Sequence, residues 1–131
     1  MQVLFTILIP LICNHILAPA ILREIISIKV IFQPHLYTRT RDFYREFADA
    51  LSLVDDVCVV DIYPAREEPI PGVTSKLIYD NLKSGIKSQM CMKNEILDVV
   101  RQGGFDVLIT LGAGDIEDYV LQITKILQPL S

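Results

Sequence analysis

The chain has 131 residues, 51% hydrophobic and 21% charged, with 12 Lys and Arg against 16 Asp and Glu. That length fits one domain around one core, and the apolar share excludes a disordered chain. A formal net charge of −4 lacks the basic excess of a general nucleic-acid binder, so no nucleic-acid partner is expected.

The charge is unevenly spread. The first 22 residues carry no charged side chain, and residues 1–32 hold only Arg23, Glu24 and Lys29. The apolar start has the length of a membrane span, about 20 residues. Pro10, Asn14, His15 and Pro19 interrupt it, however, and no basic side chain precedes it as a signal peptide requires. Ala18-Pro19-Ala20 does match a small-x-small cleavage pattern. The expectation is a cytoplasmic chain whose start forms a buried strand or helix, with an exported or anchored domain as the alternative. Residues 1–27 are therefore set apart as an apolar N-terminal segment, and 28–131 are read as one domain.

From residue 28, short apolar runs alternate with segments of helical period. Ile28–Phe32 reads as a strand ended by Pro34. Arg41–Ser52 reads as a helix with Phe43, Phe47, Ala50 and Leu51 inward, Thr40 as its N-cap and Asp42 in its first turn. Val57–Val60 is a continuous apolar run, the signature of a strand covered on both faces. Tyr63–Gly72 is a loop stiffened by Pro64, Pro69 and Pro71. Thr74 or Ser75 caps the next helix, which packs Leu77, Ile78 and Leu82 and ends toward Gly85. Lys87–Met92 reads as a short strand, Asn94–Arg101 as a helix and Phe105–Leu111 as a buried strand. After the turn Gly112-Ala113-Gly114, Asp115 opens a last helix with Ile116, Tyr119, Val120, Ile123 and Leu127 inward.

Strands alternating with helices predict a three-layer αβα, Rossmann-like α/β fold with a mostly parallel sheet. Ligands of such folds sit at the carboxyl ends of the strands. The loops leaving those ends are Pro34–Thr40, Tyr63–Gly72 and Gly112–Gly114.

The first loop sets His35, Arg39 and Arg41 between a strand end and a helix start. Guanidinium forks pair with carboxylate or phosphate, and a helix N-terminus attracts anions, so the loop suits an anion site. The alternative is solvated arginines and a histidine that closes the strand. Gly112 and Gly114 stand at a strand-to-helix turn, but Glu117 occupies the position of a third glycine in G-x-G-x-x-G, so close packing outweighs a phosphate cradle. Arg66, Glu67 and Glu68 read as a solvated loop. No G-x-x-x-x-G-K-[ST] loop occurs, so the chain has no ATP loop of that type. Cys13, Cys58 and Cys91 are odd in number, widely spaced and without C-x-x-C, which predicts buried free thiols in a reducing compartment and no zinc site. Two histidines are too few for a histidine-rich metal site.

The run Phe32-Gln33-Pro34-His35-Leu36-Tyr37-Thr38-Arg39-Thr40-Arg41 resembles the start of the C-terminal domain of the UDP-N-acetylmuramate–L-alanine ligases, a branch of the Mur ligase family. The resemblance continues through Asp61-Ile62-Tyr63-Pro64-Ala65-Arg66-Glu67-Glu68-Pro69-Ile70-Pro71-Gly72 and returns at Leu111–Ile116. It covers about residues 28–127 with three motifs in order. It implies the closing α/β domain of a three-domain ligase in peptidoglycan biosynthesis. ATP and Mg²⁺ would convert a muramoyl carboxylate to an acyl phosphate, which the amine of L-alanine attacks. ATP, Mg²⁺ and UDP-N-acetylmuramate would be bound mainly by the N-terminal and central domains, which this sequence lacks, so the chain alone is expected to be inactive.

By the same resemblance His35 and Arg39 would face the alanine and the reacting phosphate, with Arg39 on the alanine carboxylate. Arg41 would be a supporting cation or a helix-start residue. Leu36 stands where many members carry a second arginine, so a two-arginine clamp is not carried over. Cys13-Asn14-His15-Ile16-Leu17-Ala18-Pro19 matches the family's Asp-Asp-Tyr-x-His-His-Pro hinge only at a His and a Pro, so no nucleotide contact is assigned there. The related murein-peptide recycling ligases typically carry E-P-R-S-N-T in the first motif, against which His35 and Arg39 weigh. A non-catalytic anion-binding α/β module is the alternative of a different class.

Overall fold

The computed structural model describes residues 3–7 and 27–128, with side chains over 27–128. Five strands, β1 (Val3–Ile7), β2 (Ile28–Gln33), β3 (Asp56–Val60), β4 (Lys87–Cys91) and β5 (Val107–Gly112), form one sheet in the order β1-β5-β2-β3-β4. Every pairing is parallel. The helices are α1 (Tyr37–Leu51), α2 (Lys76–Asp80), α3 (Ile96–Arg101) and α4 (Val120–Leu127). Short 3₁₀ turns at Lys93–Glu95 and Asp115–Tyr119 lead into α3 and α4.

The strands are apolar without alternation because both faces are covered. Val30, Phe32, Val57, Val59, Ile109 and Leu111 pack against Ala48 and Leu51 of α1 and Ile78 of α2. The intervening Ile31, Cys58, Val60 and Leu108 pack on the other face against Ile96, Val99, Val100, Ile116 and Ile123. Two cores separated by one sheet make the predicted three-layer α/β arrangement.

Strand β1 lies inside the segment that the sequence sets apart as 1–27, and pairs Val3–Ile7 with Val107–Leu111 at one edge of the sheet. The hinge-like stretch Cys13–Pro19, His15, the Ala18–Ala20 pattern and Pro129 lie outside the described residues. Among the described residues no helix is long and apolar enough to cross a membrane. Cys58 and Cys91 are buried and unbridged, as expected, while Cys13 lies outside the described residues.

Helix α1 corrects the sequence reading most. It begins at Tyr37, one turn before Arg41. Thr40 is not its N-cap but a buried residue that closes its first turn, whose hydroxyl donates to the Leu36 carbonyl at 2.9 Å. Asp42 consequently leaves the first turn, and Phe43 is 49% exposed rather than inward. The chain can turn so early because Leu36 adopts φ 71°, which redirects it straight into the helix. Smaller shifts follow the same pattern. Helix α2 ends at Asp80, so Gly85 turns the chain toward β4 instead of capping it. Strand β5 starts at Val107 and includes Gly112. Asn94 and Asp115 both fall in 3₁₀ turns.

The chain steps outward from β2 through β3 to β4, then returns to the opposite side of β2 with β5. A crevice opens where strand order reverses in this way, at the carboxyl ends of β2 and β5.

Candidate ligand site at the strand carboxyl ends

The loops after β2 and β3 are stitched together. Tyr63 N donates to the Pro34 carbonyl at 2.8 Å, and Leu36 N donates to the Tyr63 carbonyl at 2.9 Å. This bridge continues the β2–β3 pairing beyond the strands and lays the His35 ring on Tyr63, with centroids 5.7 Å apart and planes 16° from parallel. The stack holds His35 half-buried, and the bridge has it close the end of β2, as the alternative reading expected.

Arg39 and Arg41 ride on the opening turns of α1, not on a loop. Two positions apart on a helix, their side chains diverge by about 160° around its axis. They therefore cannot both face one ligand. Arg41 Nε donates to Asp42 Oδ1 at 2.9 Å. Arg39 is exposed and, among the described residues, has neither an ion-pair nor a hydrogen-bond partner, which leaves its fork open to an incoming carboxylate.

The helix start, in contrast, already holds an anion. The Thr38 backbone N–H donates to Glu67 Oε1 at 3.0 Å, and the Thr38 hydroxyl donates to Glu67 Oε2. These bonds hold the Glu67 carboxyl below the ordinary glutamate range. Helix α1 has no acidic residue in its first turn and no side-chain cap of its own. Glu67 supplies both from the second motif, so it is a structural partner and not the solvated loop residue expected.

At the reversal point, the buried Gln33 side chain spans the crevice. Its Nε2 donates to Asp115 Oδ1 at 2.6 Å, and its Oε1 accepts from Ile116 N at 3.0 Å. Lys93 Nζ donates to Asp115 Oδ2. Burial opposes ionisation of Asp115, but Lys93 and Gln33 outweigh it and keep that carboxyl low. A Cβ on Gly112 would lie 2.8 Å from Ile116 Cγ2, and one on Gly114 would lie 2.4 Å from Tyr63 Cγ. Both glycines thus permit close packing. Asp115, Glu117 and Asp118 crowd the following turn with negative charge, which is unfavourable for a phosphate.

Two cavities meet here. One of about 370 Å³ is lined by Tyr37, Asp61, Ile62, Pro64, Thr74 and Ser75. A smaller one of about 150 Å³ is lined by Gln33, Asp61, Ile62, Tyr63, Pro64, Lys93 and Asp115. Leu36 and Ala65, the non-glycine residues with positive φ among those described, stand in the two facing loops. Strained backbone of this kind concentrates at functional sites. Gln33, Asp61 and Lys93 were not legible as site residues. A polar Gln33 closing an apolar strand, and the place of Asp61 at the head of the second motif, are the signals that could have found the first two. No group of three or more His, Cys, Asp or Glu among the described residues could hold a metal ion.

No family model matches the chain. It is 66% identical over 101 residues to the UDP-N-acetylmuramate–L-alanine ligase of Phocaeicola vulgatus, covering 77% of this chain and 22% of that protein. It is 54% identical over 97 residues to the ligase of the same name from Parabacteroides distasonis, covering 74% and 21%. A crystal structure of UDP-N-acetylmuramate–alanine ligase from Thermotoga maritima superposes with a TM-score of 0.63 at 30% identity, covering 89% of this chain and 24% of that one. The chain therefore spans between a fifth and a quarter of the length of the relatives it matches.

Proposed function

We propose that this chain, a homologue of one segment of the UDP-N-acetylmuramate–L-alanine ligases, is the C-terminal, amino-acid-binding domain of such a ligase in peptidoglycan biosynthesis. The observation that carries the reading is the 66% identity to a relative of that name, extending over 77% of the chain. The site geometry supports it. Arg39, on the opening turn of α1, offers a guanidinium that has no partner among the described residues to the carboxylate of L-alanine. Arg41 is committed to Asp42 and plays a supporting part. ATP and Mg²⁺ supply carboxyl activation and are bound mainly by the remaining three-quarters of the ligase, as is the UDP-sugar. Residues of this chain bind and orient the amine-bearing substrate. By itself the chain forms no amide, and it works in the cytoplasm.

The test is kinetic. In a ligase carrying this segment, Arg39→Ala should raise the KM for L-alanine about 10- to 100-fold, the worth of a charge-assisted hydrogen bond, and leave the KM for ATP unchanged. Unaltered alanine kinetics would remove Arg39 from the site. Amide product from the isolated chain with ATP, UDP-N-acetylmuramate and L-alanine would overturn the assignment of ATP and sugar binding to other domains.

A further inference from the structure

Asp61, Ile62 and Pro64 line both cavities. Of the acidic residues lining them, Asp115 is consumed by Gln33 and Lys93. Asp61 has no hydrogen-bond or ion-pair partner among the described residues. Backbone register fixes its place: it follows Val60, the last residue of β3, and precedes the Ile62–Tyr63 step that carries the His35 stack. The larger cavity sets beside it the hydroxyl-bearing Tyr37, Thr74 and Ser75 and the apolar Ile62 and Pro64. A carboxylate with no partner among the described residues, in a cavity that also presents hydroxyl-bearing and apolar side chains, suits the ammonium and the small side chain of an α-amino acid. The ammonium needs an anion, the carboxylate a cation and a small side chain an apolar wall.

We propose that the Asp61 carboxylate binds the ammonium of the amino-acid substrate and accepts its proton. This rests on the function proposed above. The ammonium gives one proton to an Asp61 oxygen, and the freed lone pair forms the C–N bond to the carbonyl carbon of the acyl phosphate. The C–O bond to phosphorus's oxygen breaks, and its electron pair leaves with the phosphate. The second nitrogen proton goes to the departing phosphate, and Asp61 returns its proton to water. Partial burial, helped by Glu95 and opposed by Lys93, raises the Asp61 carboxyl above the ordinary aspartate range while the residue stays exposed to an incoming ammonium.

The experiment places residues 28–131 in the matching segment of the Phocaeicola vulgatus ligase and follows ADP release with L-alanine, with thermal transitions confirming that each variant folds. Asp61→Asn should raise the KM for L-alanine about 10- to 100-fold with the KM for ATP unchanged. Its rate should climb steadily toward alkaline pH, because uncharged amine then comes only from solution, while the parent stays flat through neutrality. Asp61→Glu should recover part of the loss. An alanine KM within about two-fold of the parent and an unchanged pH profile in the folded Asp61→Asn variant would overturn the Asp61 assignment alone. A folded parent chimaera with no alanine-dependent ADP release would overturn the function itself, and the Asp61 role with it.

Discussion

Glu67 accepts hydrogen bonds from both the backbone N–H and the hydroxyl of Thr38, although 29 residues separate them. The second motif thereby caps the helix that carries Arg39. Glu67→Ala should uncap α1 and lower the thermal midpoint by a few degrees, with amide exchange accelerated at Tyr37 and Thr38 before the rest of the helix. The sign of the pH dependence follows from the lowered carboxyl. The folded state holds Glu67 ionised more readily than the unfolded state, so its contribution is complete above the ordinary glutamate range and fades as pH falls through and below it. Glu67→Gln should therefore converge with the parent in acid and diverge from it at neutral pH. Parallel stability profiles across that range would exclude the cap.

Gly114 and Tyr63 touch so closely that any β-carbon is excluded, since the nearest ring atom would lie 2.4 Å away. Gly114→Ala should push Tyr63 aside at a cost of about 1–3 kcal/mol, typical of overpacking, and loosen the stack that fixes His35. Chemical-shift changes at His35 report the second effect. Tyr63→Ala should itself destabilise but absorb most of the added cost of Gly114→Ala, a coupling that a double-mutant cycle measures.

The layers of this fold were legible because period and composition act locally. A continuous apolar Val57–Val60 can only be a strand covered twice, and both faces are indeed buried. The start of α1 was not legible, because it depends on a non-local bridge from Leu36 to Tyr63 and on a left-handed φ that leucine rarely adopts. The role of Glu67 was hidden for the same reason: the cap comes from another loop, while local preference pointed to Thr40. His35, Arg39 and Arg41 were found as a trio, yet helical geometry separates the two arginines. The place of Asp61 between two cavities was hidden because several separate loops build them, which no spacing reveals.

Cys58 and Cys91 face each other across β3 and β4 with sulfurs 3.2 Å apart, buried beneath α3. The neighbouring sulfur and burial both push the Cys58 thiol up, so it stays protonated and unreactive at neutral pH. A disulfide-exchange reagent should label it only as fast as the domain opens, and denaturant should abolish the protection. Their register offset, Cys58 opposite Gln89 and Cys91 opposite Val60, sets the pair diagonally across the parallel strands. Rapid native-state labelling at Cys58 would contradict its burial.

Lys29 and Asp56 form an ion pair at the amino ends of β2 and β3, the end opposite the site. Their charged atoms lie 3.1 Å apart, with side-chain exposures of 0% and 4%. Neither group has a geometrically sound hydrogen bond among the described residues, and Lys87 approaches Asp56 only to 3.9 Å. Such a pair barely repays its desolvation, but removing one partner strands the other charge in the core. Asp56→Asn should therefore cost about 3–5 kcal/mol, because it leaves the fully buried Lys29 uncompensated. Lys29→Met should cost less, since Lys87 remains near Asp56 and swings closer. The double variant Lys29→Met with Asp56→Leu should regain most of the loss and could equal the parent, because it removes both desolvated charges and keeps volume. Denaturant midpoints of the three variants decide this. Additive losses in the double variant would show that the two charges do not depend on each other.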